Sequence, residues 1–125
     1  MSTQAALEAL YVSTDGSQWY NHDGWDITTQ ACAPGAPPDW AGITCEVNGN
    51  NVHALLLTDF GLQGQLPTEL GLLTNVAYMD FSVNPQLQGT VPTEVGTLEA
   101  FSFEMYNAPG VSGTIPTELG EAARL

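Results

Sequence analysis

The chain has 125 residues, 43% of them apolar, with three Trp, four Tyr and four Phe; that is enough for one buried core and too much for a disordered chain. Fourteen Asp and Glu stand against a single basic residue, Arg124, and the formal net charge is -13. Such a surface repels nucleic-acid phosphates and anionic lipid headgroups, so the expected partners are cationic proteins or divalent cations.

In the simplest reading the carboxylates only keep the protein soluble. With one cation in the chain, internal salt bridges have almost no material. Added salt, or mild acidification toward the pI of about 4.1, is expected to stabilise the fold by relieving self-repulsion. No apolar run approaches the ~18 residues of a membrane helix, so no direct membrane insertion is expected.

Taken in chain order, the first residues, Met1 to Leu7, have neither the basic region nor the apolar core of a secretion signal. An extracellular reading therefore expects a signal already removed, or a chain cut from a longer precursor. Ser2 or Thr3 can N-cap a helix in which Leu7, Leu10 and Tyr11 share one face, and that face must cover apolar surface. Trp19, Trp25 and Trp40 are expected in the core. Residues 21–26 faintly suggest a calcium loop but lack its spacing and its distant bidentate Glu, so no metal is expected there.

Cys32 and Cys45 stand thirteen apart, without a C-x-x-C neighbour, and His22 and His53 do not complete a zinc set. A disulfide in an oxidising compartment is the expected reading, worth roughly 3 kcal/mol of loop-closure entropy; the alternative is two independent buried thiols.

Beyond residue 51 one phrase recurs. Gly64-Gln-Leu-Pro-Thr-Glu-Leu-Gly71 returns as Gly89-Thr-Val-Pro-Thr-Glu-Val-Gly96 and again as Gly113-Thr-Ile-Pro-Thr-Glu-Leu-Gly120, at spacings of 25 and 24. The leading Gly permits a tight bend, and the apolar-Pro pair favours extended backbone. Thr-Glu is expected to open a short helical or 3₁₀ turn, with Thr as its cap, and the last Gly to close it. Strand-like stretches, Val52–Thr58 and Val76–Ser82, precede the first two phrases, and the Asn84 amide can bond the turning backbone. One such unit cannot bury its apolar face alone, so neighbours must stack.

The third copy admits two registers. Counting from Leu98 and Phe101 puts Glu104 and Tyr106 inward, whereas a one-residue slip turns Phe103 and Met105 inward and Glu104 outward. Burying an unpaired carboxylate costs several kcal/mol, on the order of a large fraction of a domain's stability, which favours the slip. Residues 107–111 can absorb it. Leu119 to Leu125 then begin a fourth unit. Such an end expects a longer array, a covering partner or end-to-end self-association.

These residues resemble the plant-type, extracellular leucine-rich repeat. The second copy matches through Leu73, Val76, Met79, Phe81, Asn84, Leu87, Gly89, Val91-Pro92 and Val95-Gly96; the first matches from Leu55 to Pro67, with Phe60 in place of the asparagine. Residues 5–51 resemble the cap preceding such repeats, carrying Asp15-Gly16, Trp19, Gly24-Trp25, Cys32 and Trp40 to Cys45. The wording of the repeats is also similar to arrays of diatoms and related algae.

The resemblance implies an α/β solenoid: a right-handed superhelix with a short parallel sheet on its concave side. An α-helical, disulfide-pinned cap (1–51) would precede about three repeats and the start of a fourth (52–125). It implies that Cys32 pairs with Cys45 and that the tryptophans cover the solenoid's open end.

No catalytic constellation is present. The chain has no Lys, so clamps for phosphoryl transfer and Schiff-base chemistry lack parts; no G-x-S-x-G occurs, and Glu69, Glu94 and Glu118 recur by period as solvated turn residues. No N-x-[ST] sequon occurs either. The chain is read as a non-enzyme without cofactors.

The outward strand residues Ala54, Leu56 and Thr58, then Tyr78, Asp80 and Ser82, then Glu104 and Tyr106 form the candidate face. Tyr beside carboxylates suits a protein or peptide ligand of basic character, while Thr58 and Ser82 would suit a glycan. The leading expectation is a recognition module of a secreted or cell-surface protein. The alternative is a structural or adhesion repeat, or a non-catalytic subunit of a larger assembly.

Overall fold

The structure is a computed structural model that describes residues 2–25, 31–32, 40–46, 51–73, 76–97, 102–112 and 123–124. The third copy of the recurring phrase (113–120), Phe101 and Asp26 lie outside the described residues.

Helix α1 (Ser2–Ser13) buries Ala6, Leu7 and Leu10 on one stripe, with Tyr11 partly buried beside it. Ser2 is its first helical residue and not a flanking cap. At the other end the Thr14 hydroxyl donates to the Leu10 carbonyl at 2.6 Å, and Asp15 turns the chain at φ 58°. Trp19 and Trp25 then fold back. Their rings lie 4.7 Å apart, edge to face, and Trp25 meets Trp40 at 4.9 Å. Each of the first two also satisfies its indole N–H, Trp19 on the Thr14 carbonyl (3.0 Å) and Trp25 on that of Ala41 (2.8 Å). All three tryptophans are buried, as their size and apolarity predict. Phe60 of the first repeat joins the cluster at 6.1 Å from Trp19, which ties the N-terminal segment to the repeats.

Among the described residues eight strands follow: β1 (Ile43–Cys45), β2 (Val52–Leu56), β3 (Gly64–Gln65), β4 (Tyr78–Asp80), β5 (Leu87–Thr90), β6 (Ser102–Glu104), β7 (Val111–Ser112) and β8 (Ala123–Arg124). The sheet order is β1-β2-β4-β6-β8 for the larger sheet and β3-β5-β7 for the smaller. From β2 onward every pairing is parallel, as stacked repeats require. β1 is the exception: it pairs antiparallel with β2, so the larger sheet is mixed and its first strand comes from the N-terminal segment. Cys32 and Cys45 form the expected disulfide, Cα–Cα 5.6 Å, and so fasten the chain to β1.

Inward residues fill the layer between the two sheets. Leu55, Met79 and Phe103 stand in one cross-strand row. They are buried with Leu57, Phe81 and Met105. The third strand thus takes the slipped register, with Phe103 and Met105 inward and Glu104 paired across from Asp80. One backbone feature recurs with the same period: Asp59, Val83 and Asn107 all adopt left-handed φ, between 54° and 58°, where the chain leaves the strand.

Asn84 is fully buried and polar, as is Thr14, with Ser82 nearly so. Its Oδ1 accepts the N–H groups of Phe60 (3.2 Å) and Leu62 (3.0 Å), and its Nδ2 donates to the carbonyls of Leu57, Phe81 and Ser82 at 2.8–3.0 Å. One side chain thereby satisfies backbone groups in two successive repeats, each of which would cost about 1–3 kcal/mol if left buried and unpaired.

The Thr-Glu turns are 3₁₀, at Thr68–Leu72 and Thr93–Thr97. Two details depart from expectation. Thr68 is not the cap: Pro67 holds that position without a side-chain bond, and the Thr68 hydroxyl turns instead to Glu69. Gly71 does not close the turn but lies inside it, because a Cβ there would meet Glu94 Cβ at 2.8 Å and the Glu94 carbonyl oxygen at 2.9 Å. The glycine exists for the close stacking of one turn on the next.

Candidate recognition face

The outer side of the larger sheet is laid out by register. Ala54, Tyr78 and Ser102 form one cross-strand row, and Leu56, Asp80, Glu104 and Arg124 form the next. Beyond the strand ends Thr58, Ser82 and Tyr106 continue the pattern, since the Val83 N–H reaches the Tyr106 carbonyl at 2.7 Å. The slip in the third repeat therefore brings the residues of this face together as the alternation predicts.

Three large apolar groups stay open on it: Leu56 at 44%, Tyr78 at 41% and Tyr106 at 43% exposure. Side chains of this size have area to bury against a partner. The Tyr78 ring is steadied by His53, edge-on at 5.4 Å. Sequence reasoning missed His53, whose neighbour across the sheet is evident only once β2 and β4 are in register. Thr58 is exposed as expected.

Two residues of the outward set are not available to a ligand. Ala54 is buried, flanked by Thr44 of β1 on one side and Tyr78 on the other. Ser82 is 2% exposed, and its hydroxyl accepts the Tyr106 N–H at 2.7 Å. A short polar side chain at a strand end is drawn to neighbouring backbone, which alternation alone does not reveal. Ser82 is thus a support of the face, and the glycan expectation loses one of its two hydroxyls.

Asp80 sits at the centre, half-buried between Leu56 and Glu104. Burial acts to raise its pKa. The Ser82 N–H, which donates to Oδ1 at 2.9 Å, and side-chain hydrogen bonds with Ser82, Thr58 and Glu104 outweigh it and hold the carboxyl below its ordinary value. A hydrogen bond between the Asp80 and Glu104 carboxyl groups requires a shared proton. Two ionised carboxylates at the ~4.8 Å spacing of adjacent strands repel by about 3 kcal/mol at an effective dielectric of 20. In the strand register Arg124, the one basic residue of the chain, stands across from Glu104 of this pair. Among the described residues no group of three or more His, Cys, Asp or Glu is arranged to hold a metal ion. No helix among them is long and apolar enough to cross a membrane.

No known family profile matches the chain. Over 87 residues it is 33% identical to a probable leucine-rich repeat receptor-like protein kinase of Arabidopsis thaliana, a match covering 65% of this chain and 9% of that protein. Its structure is similar to that of PEPR1-AtPEP1, with a TM-score of 0.70 and 25% identity over 99% of this chain and 17% of that one. It is also similar to the LRR ectodomain of the plant membrane receptor kinase GASSHO1/SCHENGEN3 from Arabidopsis thaliana, solved in complex with CASPARIAN STRIP INTEGRITY FACTOR 2; the TM-score is 0.55, with 33% identity over 68% of this chain and 11% of that one. The chain spans 9% to 17% of the length of these relatives.

Proposed function

From a leucine-rich-repeat fold of the plant type, we propose that this chain is a non-catalytic recognition module, acting outside the cell, that binds a protein or peptide of basic character on the outer side of its larger sheet. One observation carries the reading: Leu56, Tyr78 and Tyr106 lie open on a single face around the Asp80–Glu104 pair. Apolar area supplies affinity, and the carboxyl pair selects for positive charge and steers encounter from a molecule of net charge -13. The disulfide supports an oxidising location. Similarity to an ectodomain solved with a bound partner supports recognition over catalysis.

The test is a footprint. Hydrogen exchange of the protein with and without its native partner should show protection gained at residues 54–58, 78–83 and 102–107. Protection confined to the 3₁₀ turns at Thr68–Leu72 and Thr93–Thr97 would place recognition on the other side of the repeats and end this proposal.

A further inference from the structure

The smaller sheet carries a chemistry of its own. None of the fourteen acidic residues falls within 61–67, 85–92 or 108–112, the stretches that contain β3, β5 and β7. What shows on its outer side is amide and hydroxyl. Gln65 stands across from Gln88, and Thr90 from Ser112, and all four are exposed. A Cβ on Gly89 would meet the Gln65 side chain at 2.9–3.1 Å, and one on Gly110 would meet Gln88 Cγ at 3.4 Å. Each glutamine therefore reaches over the glycine of the next strand, and the two amides run in file across the sheet.

Size and charge narrow the occupant of this strip. Two rows ~7 Å apart, over three strands ~4.8 Å apart, make a patch of about 70 Å², an order of magnitude below what a stable protein partner covers. A peptide strand cannot extend the sheet beside β3. There the Ser13 hydroxyl donates to the Gln65 carbonyl, and the Gln63 N–H to the Thr14 carbonyl. A cation finds no carboxylate on the strip, and an anion is repelled by the exposed Glu69 and Glu94 just beyond it. What fits is a neutral, narrow ligand rich in hydroxyl groups.

We propose that this strip binds a neutral glycan chain lying extended across β3, β5 and β7. An extended β-1,4-linked chain of pyranose sugars advances by about one strand spacing, ~4.8 Å, per ring, so successive rings meet successive strands. Gln65 serves the first ring, Gln88 and Thr90 the second, and Ser112 the third. Each amide offers donor and acceptor together to neighbouring ring hydroxyls, and its seat on glycine lowers the entropy lost on binding. The site lies on the other sheet from Leu56, Tyr78 and Tyr106, so it stands or falls independently of the recognition reading above.

Cellotriose, maltotriose and trigalacturonate test this, each titrated into the nitrogen-15-labelled chain and followed by NMR. Cellotriose should shift the side-chain amides of Gln65 and Gln88 and the backbone amides of Thr90 and Ser112. Maltotriose has the same sugar units on a curved linkage and should bind about five-fold or more weakly, and the anionic trigalacturonate should leave these signals in place. Gln88→Ala, with its other amide signals unmoved, should weaken cellotriose by about five-fold. No cellotriose shifts, or shifts confined to residues outside the smaller sheet, overturn the proposal. Equal affinity for maltotriose overturns the match of one ring to one strand.

Discussion

At the residue scale the fold leans on a few side chains whose roles are set by backbone geometry. Val83 is the clearest misfit: a β-branched residue at φ 58°, where its equivalents in the neighbouring repeats are Asp59 and Asn107. The left-handed region costs a β-branched side chain more than it costs Asn, so Val83→Asn should stabilise the protein by about 1 kcal/mol, read as a higher urea midpoint with unchanged m-value. No gain would mean that Val83 packing offsets the strain. Asp80 supplies a pH signature. Its pKa is lowered on folding from 3.8, so its contribution to stability is complete above that pH and is lost as pH falls through the lower folded value. An NMR titration of the Asp80 carboxyl carbon should place its midpoint below 3.8, and Ser82→Ala should move it upward. These networks were only partly legible in the sequence. Asn84 was evident as a turn-bonding amide, yet its reach into the preceding repeat depends on Phe60 and Leu62 coming within range through stacking. The burial of Ser82 needed the third strand in place.

At the scale of elements, the repeated phrase told most of the story, because stacked units must bury the same face at the same period. The 3₁₀ turns, the strand pairings and the slip in the third repeat all follow from Pro, Gly and the cost of an inward Glu104. The strands are shorter than the apolar runs that predict them. Tyr78–Asp80 forms where Val76–Ser82 was expected, since the flanking residues turn toward the 3₁₀ segment on one side and the left-handed Val83 on the other. The antiparallel β1 escaped notice altogether. Three residues, Ile43–Cys45, carry too little period to read, and their pairing is fixed by the disulfide and by Leu56 N–H donating to the Gly42 carbonyl at 2.7 Å. Breaking the disulfide with Cys32→Ser and Cys45→Ser should therefore cost about 3 kcal/mol and speed amide exchange in β1 before β4. Uniform exchange across both strands would show that β1 is held by its ladder alone.

For the whole molecule, charge dominates behaviour that the local contacts do not set. Fourteen acidic residues against one basic residue make self-repulsion a general burden on the compact state. The melting temperature should rise between low and moderate salt, as screening shortens the reach of that repulsion to about 10 Å at 0.1 M. A steady fall over the same range would show that specific charge–charge attractions outweigh it.

The same charge, gathered at Asp80 and Glu104 between two open tyrosines, underlies the central claim that this face recognises a basic ligand. The direct measurement is the affinity of the native partner for the chain and for its Tyr78→Ala/Asp80→Asn variant, with melting curves taken alongside. The account predicts that the variant melts within a few degrees of the parent yet binds about ten-fold or more weakly, through loss of one aromatic anchor and one charge. Affinity equal to the parent's in a variant that remains folded would contradict it.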